Sequence, residues 1–127
     1  MHFFYVALGG AIGAMFRYGV ALLTAQWWGT EFPWGTVTVN LIGSFVIGFL
    51  WQWFEQYTIE PYMRTLIFVG VLGAFTTFSS YTLDSLRLFQ AGKLLPGLAN
   101  MVGSNVLGLT AVYLGTLIAR YFLPTIH

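Results

Sequence analysis

The chain has 127 residues, of which 57% are hydrophobic and 7% charged, and carries a formal charge of +1 and no cysteine. An ordinary soluble domain holds roughly 25% charged residues, and this chain has too little polar surface to cover a core of its own size, so its composition places it in a lipid bilayer. The near-neutral charge gives no footing for nucleic-acid binding, and the absence of cysteine excludes disulfides, thiolate nucleophiles and thiolate metal sites.

Charged residues and turn formers punctuate four segments, each near the roughly 20 residues that a spanning helix needs. The first, His2 to Trp28, is interrupted only by Arg17. It has no basic residue ahead of its apolar stretch and no small-residue cleavage pattern, so it reads as a retained helix rather than a secretory signal. The second, Trp34 to Phe54, contains no charge in 21 residues. The third begins near Arg64 and runs to about Phe89, and the fourth spans Leu94 to Phe122. WWGTEFP, EQYTIEPYMR and QAGK separate them and suit turns at the membrane surface. No room remains for a soluble domain, so residues 1–127 are expected to form one four-helix transmembrane domain of the all-α class. Trp27, Trp28, Trp34, Trp51, Trp53, Tyr57, Tyr62 and Tyr121 fall near segment ends, where amphipathic rings favour the headgroup level.

Four spans put both termini on one side. Arg64 and Arg120 then belong to the terminal face, Arg87 and Lys93 to the other, with Arg17 nearer that second face. So weak a Lys/Arg asymmetry gives the positive-inside rule little to act on, which makes insertion in both orientations and an antiparallel homodimer plausible. Small residues stripe the helices, as close backbone approach in membranes requires. Gly9, Gly13 and Arg17 recur every four residues in the first span; Thr36, Asn40 and Gly43 share a face of the second; Asn100, Ser104 and Gly108 stripe the fourth and continue toward Ala111 and Gly115.

The third span contains FTTFSSYT at 75–82, inside 19 uncharged residues from Thr65 to Leu83. Its hydroxyls, on Thr76, Thr77, Ser79, Ser80 and Thr82, point in several directions around a helix, and bonds to the i−4 carbonyl on one side do not hide them all. Gly70, Gly73 and Ala74 precede them, so a helix break is expected near residues 73–77; the competing reading is an unbroken helix whose hydroxyls join it to its neighbours. Phe78 and Tyr81, three apart, share a face. A ring edge meets an anion where a ring face meets a cation, and with amide donors on Asn40 and a fixed charge on Arg17 the balance leans toward a small anion. Asp84 and Arg87 are expected to form a structural ion pair at a helix end. His2 and His127 are given no role.

GGAIGAMFRYG at 9–19, GTVTVNLIGSFVIG at 35–48 and GVLGAFTTFSSYT at 70–82 resemble the three signature stretches of the Fluc/CrcB fluoride channels, and the four-span layout covers the whole chain. The resemblance implies an antiparallel, dual-topology homodimer with two fluoride pathways, a broken third helix, and a sodium ion held at the centre by main-chain carbonyls of both breaks. By motif position, Phe78 matches the first phenylalanine of the aromatic fluoride box, and Tyr81 stands where a second phenylalanine is usual. Asn40 matches the pore asparagine and Arg17 the vestibule arginine. Gly73 and Thr76 match the carbonyl donors to sodium. Ser79, Ser80 and Thr82 resemble the polar track along which the anion moves. Ser104 occupies the place of a pore-facing serine, while Asn100, where a tyrosine is common, is given no role.

The expected activity is passive export of cytoplasmic fluoride through a bacterial inner membrane, and not catalysis, because no Walker-type loop, metal-ligand cluster or nucleophile set stands out. Two rivals come from other classes. A dual-topology, proton-coupled multidrug exporter needs a membrane-embedded carboxylate, whereas Glu31, Glu55, Glu60 and Asp84 lie at or near predicted helix ends. A non-conducting scaffold explains the glycine stripes without requiring FTTFSSYT.

Overall fold

The structure, a computed structural model, describes residues 2–122. Helix α1 covers His2–Trp28 and α2 covers Trp34–Gln56. The third span comprises α3 (Pro61–Arg64), a π-wound stretch (Thr65–Leu72), α4 (Gly73–Phe75) and α5 (Phe78–Gln90); α6 is Leu94–Phe122. Four segments, including Pro61–Gln90 taken as one, are long and apolar enough to cross a membrane. Few large side chains are buried, among them Val39, Phe54, Leu72, Phe75 and Leu88, while many Phe, Leu, Trp and Tyr side chains lie exposed. In water such a surface would aggregate; in lipid it is matched to its solvent.

The connectors end their helices by specific means. Gly29 and Gly92 both have φ of 79°, a left-handed conformation that L side chains rarely adopt. After α5 the Lys93 amide donates to the Leu88 carbonyl (2.9 Å) and Gly92 to Phe89 (3.1 Å), the bond pair of a Schellman cap. Pro61 opens α3 at a position where its missing N–H is not needed. Arg64 joins spans two and three: its Nη2 donates to the Phe54 carbonyl at 2.9 Å, and its guanidinium lies 5.5 Å from the centre of the Phe54 ring. His2, given no role from sequence, lies with Nδ1 3.2 Å from the Thr65 hydroxyl, so it ties the start of α1 to the third span. His127 lies outside the described residues.

The glycine stripes are where backbones meet. A Cβ on Gly9 would collide with the Leu66 carbonyl and one on Gly13 with the Val71 carbonyl, so α1 rests directly on the third span. One turn further along the same face, Arg17 reaches the Ala74 carbonyl. On the other side of the bundle, Gly48 of α2 backs onto the Val112 carbonyl, and Gly115 of α6 backs onto Phe45 and Phe49. Two backbone-to-backbone seams, α1 with the third span and α2 with α6, therefore set the bundle. Asp84 and Arg87 do not form the expected pair as the carboxylate's partner: Asp84 Oδ2 accepts from the Thr36 hydroxyl at 2.8 Å. Thr36 lies in the first turn of α2, across a helix interface, where a short donor reaches the carboxylate that a side chain on Asp84's own helix was expected to hold.

Candidate functional site

Helical winding stops at Phe75. Thr76 (φ −84°, ψ 158°) and Thr77 (φ −151°, ψ 116°) are extended, and winding resumes at Phe78. Backbone groups around this point lose their helical-ladder partners, and side chains supply new ones to four of them. Asn40 Oδ1 accepts the Thr77 N–H at 2.8 Å while Asn40 Nδ2 donates to the Thr77 carbonyl at 3.1 Å. One amide thus satisfies both backbone groups of one extended residue, as a neighbouring strand would. The Thr77 hydroxyl caps α5 by accepting the Ser80 N–H at 3.2 Å. Arg17 Nε donates to the Ala74 carbonyl at 2.9 Å, placing positive charge at the carbonyl end of α4. Thr76 turns both its N–H and its hydroxyl to the Leu72 carbonyl, at 3.1 and 3.0 Å.

Helix α2 grips α5 at two points. Thr36 and Asn40, four apart, share a face of α2, and Thr77 and Asp84, seven apart, share a face of α5. The bonds Asn40 to Thr77 and Thr36 to Asp84 fix the rotation of α5 about its own axis. That rotation sets where Phe78 and Tyr81 point. Their ring centres are 5.5 Å apart with planes inclined at 51°, and Phe78 is 75% exposed.

Beside this break lies a groove of about 360 Å³. It brings together six of the sequence-predicted residues, Asn40, Gly73, Thr76, Phe78, Tyr81 and Ser104, with Gly43, Thr77 and Asn105 also on its wall. The other four lie away from it. Arg17 is on the Ala74 carbonyl. Ser79 and Ser80 place their hydroxyls 3.3 and 3.2 Å from that of Thr77, and Thr82 donates to the Ser79 carbonyl at 3.0 Å. Gly43 is small for a reason: a Cβ there would collide with the Thr76 methyl. Asn100 is 1% exposed, donates to the Ser85 hydroxyl at 2.9 Å and holds the Ser104 hydroxyl at 3.4 Å, so it braces the wall behind Ser104.

Sequence reasoning passed over Thr77 and Asn105. Thr77 is one hydroxyl among five, and no signal in the sequence sets it apart from Thr76, which Ser79 follows at the same spacing as Ser80 follows Thr77. Asn105 is an amide in the middle of an apolar span, one position off the Asn100–Ser104–Gly108 stripe.

A profile for the CrcB-like protein family, described as Camphor Resistance (CrcB), matches residues 4–116. The chain belongs to the CrcB-like family. Its relatives include proteins called fluoride-specific ion channel FluC. The one from Magnetococcus marinus is 46% identical over 94% of this chain and 98% of the relative. That of Salinibacter ruber is 44% identical over 94% and 90%, and that of Parabacteroides distasonis 41% identical over 97% and 96%. In this CrcB-like chain two of the three motif stretches meet at the groove, where Asn40 and Gly43 flank the extended residues and Phe78 and Tyr81 follow them, while the first stretch, through Gly13 and Arg17, packs against the third span without lining the groove.

Proposed function

We propose that the chain is a fluoride-selective passive ion channel, not an enzyme, that lets cytoplasmic fluoride leave a bacterial cell across the inner membrane and so limits its toxicity. The observation that carries this reading is the chemistry of the groove. Its wall combines neutral polar groups on Asn40, Thr77, Ser104 and Asn105 with the rings of Phe78 and Tyr81, and among the described residues it carries no acidic or basic side chain. Stripping water from a small ion costs tens of kcal/mol, so several donors in sequence must replace the hydration shell. Ring edges and N–H or O–H groups do so for an anion without holding it too tightly to leave. The relatives' names narrow the anion to fluoride.

The groove is open along one side of a single chain, and two copies in opposite orientations would close two such grooves. The weak Lys/Arg asymmetry supports that arrangement. In it, Thr76 and Thr77 form a mid-membrane interruption, Arg17 supplies a standing positive charge beside that interruption, and Ser79, Ser80 and Thr82 would continue the polar route from Phe78 and Tyr81. A sodium ion fits the donors at the break. The amides that a continuous helix would aim at the Gly73 and Thr76 carbonyls belong to Thr77 and Ser80, and these are bonded to Asn40 and to the Thr77 hydroxyl instead. Carbonyl oxygens released from the ladder are ligands for a hard cation. Held by Gly73 and Thr76 of both copies, the ion would supply fixed charge that steadies two facing breaks.

Transport needs no coupled energy source. HF enters uncharged and ionises at the higher cytoplasmic pH, and an inside-negative potential drives the anion out at about 2.3 kcal/mol per charge per 100 mV. The test uses purified protein in liposomes loaded with potassium fluoride, with a potassium ionophore to balance charge. Rapid fluoride efflux with chloride retained supports the channel. Proton-coupled uptake of a cationic drug would instead make it an exporter, and inertness to both would leave a scaffold.

A further inference from the structure

Tyr81 and Asn105 form a pair whose chemistry goes beyond a ring edge. Asn105 lies near the middle of α6, Leu94–Phe122, roughly 17 Å along the helix from its start at about 1.5 Å per residue. An amide at that depth is costly unless bonded. Its Nδ2 donates to the Met101 carbonyl at 2.7 Å and to the Tyr81 phenolic oxygen at 2.9 Å. Because the Met101 carbonyl only accepts, the amide nitrogen must face it, and the orientation of the Asn105 amide is thereby fixed. Both Nδ2 protons are then used, the second of them on Tyr81.

The Tyr81 oxygen is an acceptor in this pair, so its own proton points elsewhere. The structure offers it the same Met101 carbonyl at 3.4 Å, a long contact to an oxygen that already takes the shorter Asn105 bond. An anion is a far better acceptor, since hydrogen bonds to an ionised partner are shorter and about twice as strong. Tyr81 and Asn105 both line the groove, beside Phe78 and Ser104.

We infer that Asn105 is a positioning residue that holds the Tyr81 phenol so that its O–H donates a hydrogen bond to the anion in the groove. The inference rests on the fluoride-channel reading and adds a specificity element to it. The proton is shared with the anion and not transferred. Fluoride, the smallest halide and the strongest hydrogen-bond acceptor among them, gains more from an O–H donor than chloride does, so the pair favours fluoride where two bare ring edges would discriminate less.

The experiment is a double-mutant cycle on fluoride and chloride efflux from liposomes, with the full chain as wild type, Tyr81→Phe, Asn105→Leu and both together. Each single substitution is expected to slow fluoride efflux about fivefold or more and to narrow the fluoride-to-chloride ratio. Asn105→Leu should add less than twofold in the Tyr81→Phe background, where no phenol remains to be held. If Asn105→Leu slows efflux equally in both backgrounds, or changes neither rate nor ratio beside an intact Tyr81, the assignment fails and Asn105 is packing alone. Should Asn105→Leu not elute like wild type on gel filtration, Asn105→Ala takes its place in the same cycle. A wild type that passes no fluoride removes the channel reading and this inference together, whereas a conducting wild type with additive substitutions removes only the inference.

Discussion

At the scale of single residues, the site is built by side chains that stand in for backbone. Asn40 completes both hydrogen bonds of Thr77. Removing it leaves a donor and an acceptor unmet in a region with little water, each costing about 1–3 kcal/mol. Asn40→Leu is therefore expected to lower the thermal midpoint in detergent and to abolish fluoride efflux, whereas an unchanged midpoint would show that Thr77 finds other partners. Phe78 poses the opposite case. It is 75% exposed, with its ring centre 5.5 Å from that of Tyr81, so it adds little to the fold of one chain. Phe78→Ile keeps an apolar group of moderate size but removes the ring edge. Fluoride efflux should fall at least tenfold, about 1.4 kcal/mol in barrier, with elution and thermal midpoint near those of wild type. Efflux within twofold of wild type would mean that the ring is packing and nothing more.

At the scale of elements, the two seams depend on glycine at particular turns, and adjacent glycines differ sharply. A methyl on Gly13 would meet the Val71 carbonyl and lie 3.1 Å from the Phe75 amide nitrogen, whereas one on Gly10 would meet nothing within 4 Å. Gly13→Ala is thus an overpacking change of about 1–3 kcal/mol, and Gly10→Ala improves helix propensity by up to about 1 kcal/mol with no clash. The thermal midpoint should drop by several degrees for the first and hold or rise for the second; equal effects would contradict the seam. These stripes were legible because spacing by four on a helix maps onto one face whatever lies opposite. The spans were legible too, since nine charged residues in 127 make sharp punctuation. The π winding of TLIFVGVL was not, because a uniformly apolar run has no face from which to read 3.6 against a wider turn. The partner of Asp84 was missed for a related reason: Arg87 is near in sequence, and Thr36, 48 residues away, becomes near only once α2 lies across α5. Asn105 escaped because its role exists only opposite a phenolic oxygen on another helix.

At the scale of the whole molecule, the decisive property is a near balance of charge between two faces. Arg64 and Arg120 stand on the terminal face against Arg87 and Lys93, with Arg17 inside the bilayer. Orientation follows Lys and Arg in the short loops, so a few added charges should settle it. Thr58→Lys with Ile59→Lys loads the loop between Gln56 and Pro61 on the terminal face. Thr30→Lys with Glu31→Lys loads the loop between Trp28 and Trp34 on the opposite face. Each chain should then insert almost wholly one way. If the working unit is an antiparallel pair, cells making either variant alone should show fluoride efflux at least tenfold below wild type, because every neighbour points in the same direction. Cells making both should recover most of it, since each variant supplies the orientation that the other lacks. Labelling of a cysteine introduced at Ala91, an exposed position in the loop between α5 and α6 that neither variant changes, reports the orientation independently of flux. Full efflux from one variant whose cysteines all label from a single side would overturn the antiparallel pair while leaving the groove and its chemistry in place, because a parallel assembly would then conduct through the same residues.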